Sequence, residues 1–155
     1  MALFHLRNGF ISRGKGQSVV AAAAYRARER LRDAVSGEVK DYRRKAVEQP
    51  VLFSGIYVPK NAPAWAQDRG ALWNAAEQAE DRHNRKSRRV AITAQDMELA
   101  LMHELTLEEN RRALQDFIRE QFTRRGYAVD ANIHGPEREG DQRNIHAHLL
   151  VSMRT

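Results

Sequence analysis

The chain reads as an α+β domain in which helices cover an antiparallel or mixed β-sheet, and three patterns point there. Residues 89–102 alternate as one long strand, and residues 106–124 carry apolar side chains at helical spacing. Two strand-like runs, 127–134 and 144–154, are separated only by the Gly-containing loop 135–143, which makes them a hairpin. The full order is strand, helix, short hairpin or loop, strand, helix, strand, helix, strand, strand.

Each element has a local reason. Residues 2–11 are apolar and aromatic enough for a first strand, and the loop at 12–18 carries two glycines and two cations and ends in a capping serine. A helix is expected over 19–32. The alanine run from Ala21 to Ala24 favours it and lets another element approach closely, while Arg26, Arg28, Arg30 and Arg32 spread around its later turns. The polar stretch 33–45, with a Ser-Gly turn, is a short hairpin or loop ending in the basic run Arg43-Arg44-Lys45, and a strand follows at 51–58. Pro63 stands near the start of a second helix that runs to about residue 81, with Trp65, Leu72, Trp73 and Ala76 at helical spacing, so both tryptophans are expected in the core. Residues 82–89 form a basic connector containing His83. Thr106 and Glu109 make a capping box for the third helix, whose inner side is Leu114, Phe117, Ile118 and Phe122 and whose end is Gly126.

Composition narrows the class. At 155 residues, with no Pro- or Ser-rich linker, one domain over residues 1–155 is the expectation. The net charge of +6 favours an acidic partner, and residues 1–45 carry 11 Lys and Arg against 4 Asp and Glu. No segment approaches transmembrane length, so nucleic acid is preferred over a membrane surface. The N-terminus lacks the pattern of a secretory signal, and a cytoplasmic protein is expected. Without cysteine there is no disulfide framework, and any metal must be held by nitrogen and oxygen.

The chemistry-bearing residues are few. His146 and His148 sit two apart in an apolar strand, which aims both imidazoles to one face while Ile145, Ala147 and Leu149 take the other. His134 on the neighbouring strand would complete a three-nitrogen site with open positions for water or substrate. A satisfied, half-buried structural histidine is the plainer alternative for each. Asp96 and Glu98 share a strand face with Val90 and Ile92; if that face is internal they need a cation, a metal or a histidine, and otherwise they are solvated. Tyr25 closes the alanine run, either as packing or as a phenol held over the sheet. Arg13, Lys15, Arg26, Arg28, Arg43, Arg44 and Lys45 flank Tyr25 in sequence and are expected to form a phosphate-tracking surface, the plainer alternative being a solvated charged helix.

Several of these stretches together resemble the MobA/MobL family of plasmid mobilisation relaxases, the group that includes TraA-like proteins. They are Met1-Ala2-Leu3-Phe4-His5-Leu6, the loop from Ile11 to Ser18, the alanines before Tyr25-Arg26, Gly37-Glu38-Val39-Lys40-Asp41-Tyr42, Met97-Glu98-Leu99-Ala100-Leu101, and Ile133-His134 with Asn144-Ile145-His146-Ala147-His148-Leu149. The resemblance runs in the same order over nearly the whole chain. It implies a HUH-type DNA-nicking fold, an antiparallel sheet holding a three-histidine metal site beside a tyrosine nucleophile. By position the nucleophile is Tyr25, the metal ligands are His134, His146 and His148, and the acidic pair is Asp96 and Glu98. Met102 stands where the family usually has proline. Relaxase domains of this kind generally continue beyond the histidine strand, so either a domain trimmed at its C-terminus or one lacking part of the DNA clamp is expected.

The implied activity is metal-dependent nicking and strand transfer of single-stranded DNA at a plasmid origin of transfer. Tyr25 would form a 5′-phosphotyrosyl link and leave a free 3′-hydroxyl. Mn²⁺ or Mg²⁺ is the expected ion; three imidazoles also suit Co²⁺, Ni²⁺ or Zn²⁺. Accessory relaxosome proteins and a type IV coupling protein are the further partners implied, with no membrane insertion. A replication initiator or transposase with the same chemistry is the nearest alternative, but those usually carry the tyrosine on a later helix, after the histidines. A basic, non-enzymatic nucleic-acid-binding module is the third reading.

Overall fold

The computed structural model describes residues 5–83 and 91–155. The expected opening of the first strand at 2–4, most of the basic connector and the start of the strand expected from residue 89 lie outside the described residues. β1 (Leu6–Ser12), β4 (Val51–Tyr57), β5 (Ile92–Ala100), β6 (Val129–His134) and β7 (His146–Ser152) form one sheet ordered β1-β5-β7-β6-β4, antiparallel at every pairing. β2 (Arg30–Arg32) and β3 (Val39–Asp41) pair as a separate small hairpin. The expected α+β architecture is present, with the sheet wholly antiparallel.

Helices cover both faces because the strands are apolar on both. α1 (Val19–Ala27) and α2 (Arg69–His83) close one core, in which Val19, Val20, Ala23, Leu72 and Trp73 meet Ile11, Ala94 and Leu150. α3 (Leu107–Gln121) closes the other, where Leu114 and Ile118 meet Met97, Ala131, Ile133, Ala147 and Leu149. Its start is the expected capping box: Thr106 accepts from the Glu109 amide, and the Glu109 carboxylate accepts from the Thr106 amide. Ser18 caps α1 in the same way, accepting from the Ala21 amide at 3.2 Å while its hydroxyl donates to Asp33 at 2.6 Å.

α1 ends five residues earlier than the spacing predicts. The amide of Arg28 bonds to the Tyr25 carbonyl and that of Glu29 to the Ala24 carbonyl, a Schellman closure with Arg28 at the left-handed position (φ 56, ψ 42). Arg30 and Arg32 therefore belong to β2, not to the helix. Trp65 also departs from expectation. It lies in a 3-10 turn (Ala64–Gln67) ahead of α2, the extended backbone of Asp68 breaks the helical spacing, and the ring is 51% exposed, whereas Trp73 is fully buried.

A buried polar network, absent from the sequence reading, ties α2 to the sheet. Asp130 is fully buried and accepts from Arg69 Nε (2.8 Å) and Nη2 (3.0 Å), Trp73 Nε1 (2.9 Å) and Asn132 Nδ2 (3.0 Å). Arg69 also donates to Ser54 and to Glu29. Removing one member of a buried pair leaves the other charge uncompensated, so Asp130→Ala should cost about 3–5 kcal/mol of stability in urea unfolding. A loss below about 1 kcal/mol would mean that the network contributes no more than a surface pair does. Ala23 is fully buried between α1 and the sheet. Overpacking there by Ala23→Leu should cost about 1–3 kcal/mol in the same assay, and an unchanged midpoint would show slack in that contact.

Candidate functional site

Strand register assembles the polar residues. Directly paired residues share a face, so the pairings put Arg7, Glu98, His148, Asn132 and Ser54 in one row across the sheet. A second row holds Gly9, Asp96, Leu150, Asp130 and Ile56, and a third places Ala100, His146, His134 and Val51 side by side. All three rows lie on the face covered by α1 and α2, together with the apolar residues of that core. The Asp96 and Glu98 face is thus internal; Asp96 meets the cation that burial demands, whereas Glu98 has only the His146 ring, at 3.9 Å.

The C-terminal end of α1 descends onto these rows. Arg26 Nη2 donates to Asp96 Oδ2 at 2.6 Å, and His134 Nε2 donates to the Arg26 carbonyl at 2.5 Å. That bond fixes the His134 tautomer and leaves Nδ1 as its lone-pair nitrogen. The rings of His134 and His148 lie 4.4 Å apart, and His146 Nε2 is 3.9 Å from Glu98 Oε1. Burial, reinforced by the positive charges of Arg28 and Arg26 and opposed by the bond to the Arg26 carbonyl, pushes His134 down to about 4. Burial first, then the proximity of His134 and Arg26, pushes His148 down to about 3. Both rings are neutral at pH 7, the state a metal ligand requires.

Tyr25, Arg26, Asp96, Glu98 and His148 line one cleft of about 230 Å³, together with Arg7, Asn8 and Gly9 of β1. The Tyr25 ring is 42% exposed and also borders a second cleft of about 360 Å³, lined by Arg28, Lys45, Gln49 and Arg138 among others. Tyr42 stands edge-on to it at 5.3 Å, and the Arg28 guanidinium lies 4.6 Å from its centroid. By its chemistry the donor set suits a divalent ion: the buried imidazole of His134, the half-buried one of His148, that of His146 in register beside them and the Glu98 carboxylate 3.9 Å from His146. Among the described residues, no three such side chains are gathered closely enough to hold one. His134 must turn from the Arg26 carbonyl before its Nε2 could join.

The seven cations expected to track phosphate divide in two. Arg13 is committed to Glu77, with Nε 2.7 Å from the carboxylate, and to Asp81; Arg26 is committed to Asp96, and Arg28 is buried against Tyr25 and Gln49. Lys15, Arg43, Arg44 and Lys45 are exposed, Arg43 bridging Asp41 and Lys45 bridging Glu48 as surface pairs that exchange easily. Two residues at these clefts escaped the sequence reading, Arg7 and Arg138. Arg7 had a signal, since it lies two residues from Gly9 on the first strand and so shares the face that meets Glu98. Asp130 and Asn132 had one too: with His134 they recur at every second position, a polar stripe on one strand face.

The profile of the MobA/MobL family matches residues 17–155. A "Probable mobilization protein MobA" of Bifidobacterium longum is 36% identical over 99% of the chain, and "Mobilization protein MobL" of Acidithiobacillus ferridurans is 32% identical over 98%. "Conjugal transfer protein TraA" of Rhizobium radiobacter is 32% identical over 99%. The chain spans 25%, 43% and 14% of the lengths of these three relatives. A solved structure reported as "Molecular Basis of Vancomycin Resistance Transfer in Staphylococcus aureus" superposes with a TM-score of 0.83 at 30% identity, covering 99% of this chain and 72% of that one. Among the described residues, no helix is long and apolar enough to cross a membrane. With that profile matched over most of its length and that fold shared at 30% identity, the chain belongs to the MobA/MobL family.

Proposed function

We propose that the chain is the DNA-nicking domain of a mobilisation relaxase, acting on single-stranded DNA at an origin of transfer by way of a phosphotyrosyl intermediate. The observation that carries this reading is the single cleft shared by Tyr25, Glu98, Asp96 and His148. It brings together a nucleophile, two carboxylates and a candidate ligand from three separate parts of the sequence.

The phenol of Tyr25 attacks the scissile phosphorus, the bond from Tyr25 Oη to phosphorus forms, and the bond from phosphorus to the 3′ oxygen breaks. The 3′ oxygen leaves as a hydroxyl, taking up the equivalent of the proton that the phenol gives up, so the phosphodiester energy is kept in the new link and the step reverses for strand transfer. A phenol is mostly protonated at neutral pH and needs a base. Asp96 is neutralised by Arg26, whereas Glu98 has no cation at hydrogen-bond distance among the described residues, so Glu98 is the carboxylate suited to take the proton. Arg26 Nε is a buried nitrogen without a partner and can donate to a phosphate oxygen brought into the cleft. His134, His146 and His148 would hold a divalent ion, which when bound offsets charge developing on the phosphate oxygens. Arg7, Lys15, Arg43, Arg44 and Lys45 are the cations left to guide the strand, with accessory relaxosome proteins and a coupling protein as further partners.

Incubation with single-stranded oligonucleotides tiling the transfer origin, in Mn²⁺, should yield a covalent adduct on denaturing gels. Tyr25→Phe should abolish it while strand binding persists. An adduct surviving in Tyr25→Phe and mapped to Tyr42, the ring beside it, would move the nucleophile. His148→Ala should weaken Mn²⁺ binding at least about tenfold in calorimetric titration, because a ligand site short of one nitrogen cannot position the ion. Equal affinity in wild type and His148→Ala would exclude the histidine site, and no adduct with any oligonucleotide would favour the non-enzymatic module.

A further inference from the structure

Arg28 carries two energetic costs that the fold could have avoided. It occupies the left-handed position of the α1 closure, at φ 56, where glycine is the residue without a steric penalty. It is the one residue other than glycine with positive φ among the described residues. Its guanidinium is also largely taken out of water, at 7% residue exposure, and among the described residues no carboxylate pairs with it directly, although Glu48, Glu137 and Glu139 line the same cleft. Strain retained at a single position calls for a function that the strained residue serves.

The contacts show what is gained. Nη1 donates to the Tyr25 carbonyl at 2.6 Å, Nη2 to Gln49 Oε1 at 3.0 Å and Nε to the Gln49 carbonyl at 3.4 Å. The face of the same group lies over the Tyr25 ring, 4.6 Å from its centroid, while Tyr42 meets that ring edge-on at 84°. Gln49 Nε2 in turn donates to the carbonyl of Gly135 at 3.1 Å, the residue that follows His134. One chain of hydrogen bonds therefore runs from the tyrosine, through Arg28 and Gln49, to the end of the histidine strand. The left-handed turn is what folds the guanidinium back onto the ring one turn earlier.

We infer that Arg28 is a positioning residue for Tyr25, clamping the half-exposed phenol ring at a set height over the histidine row through Gln49, and that it is not a phosphate contact. This rests on the proposed role of Tyr25 as nucleophile.

Arg28→Gly removes the clamp while leaving the left-handed backbone comfortable, and Gln49→Ala breaks the same chain without touching the helix end. Circular dichroism checks that each is folded. Single-turnover adduct formation should slow by about ten- to a hundredfold in Arg28→Gly, the range expected when a reacting group shifts by about 1 Å, and by less in Gln49→Ala. Affinity for the single strand, read by fluorescence anisotropy, should hold in both. Arg28→Lys, which keeps a cation over the ring but loses the planar fork, should fall between wild type and Arg28→Gly. An unchanged rate in Arg28→Gly would overturn the inference, as would lost affinity and a flatter salt dependence with the rate intact, the signature of a phosphate contact. A readout without DNA separates this from the nucleophile assignment: with 3-fluorotyrosine at position 25, the fluorine resonance should shift and change width in Arg28→Gly. If wild type forms no adduct, the nucleophile assignment falls, and an unmoved fluorine resonance would then overturn the clamp as well.

Discussion

The site depends on how closely α1 lies against the sheet. Ala23 and Ala24 are fully buried and Ala27 nearly so, and with Val19 and Val20 they let the helix backbone approach the strands without large side chains between. That approach puts a main-chain carbonyl, that of Arg26, within hydrogen-bond reach of His134, and the Arg26 side chain within reach of Asp96. A bulkier face would hold Tyr25 away from the carboxylates and from His148, and one cleft would become two unrelated surfaces.

Much of this was legible in residue patterns, for reasons that can be named. Period-two alternation fixes which strand residues share a face, so the joint placement of His134, His146 and His148 followed from the hairpin alone. The capping box of α3 and its inner side are local features and emerged as expected. What stayed hidden was set by tertiary partners. Nothing near Asp130 in sequence announces that Arg69 and Trp73, some 60 positions earlier, reach it from another helix. The end of α1 is not announced locally, because Arg28 has ordinary helix propensity and the partners that accompany its left-handed turn include Gln49, far along the chain.

Charge was the least readable property. Seven cations near Tyr25 look alike in a sequence, yet the fold commits Arg13, Arg26 and Arg28 to internal partners and leaves Lys15, Arg43, Arg44 and Lys45 at the surface. Arg26 and Arg28 fix geometry at the site and add to the burial that keeps His134 and His148 neutral, whereas Arg13 ties the end of β1 to α2. A field that attracts a polyanion arises from the net excess of +6, so it survives the loss of three individual contacts.

The sheet order has a mechanical consequence. β7 and β6 are interior strands, each paired on both sides, so the three histidines stand on the part of the molecule least able to move without unfolding. The tyrosine, by contrast, projects from the last turn of a nine-residue helix that leads straight into a two-stranded hairpin outside the main sheet. The histidines are thus held by the hydrogen-bonded ladder of the sheet, whereas the tyrosine is held by the packing of α1 and by the Arg28 and Gln49 contacts where that helix ends.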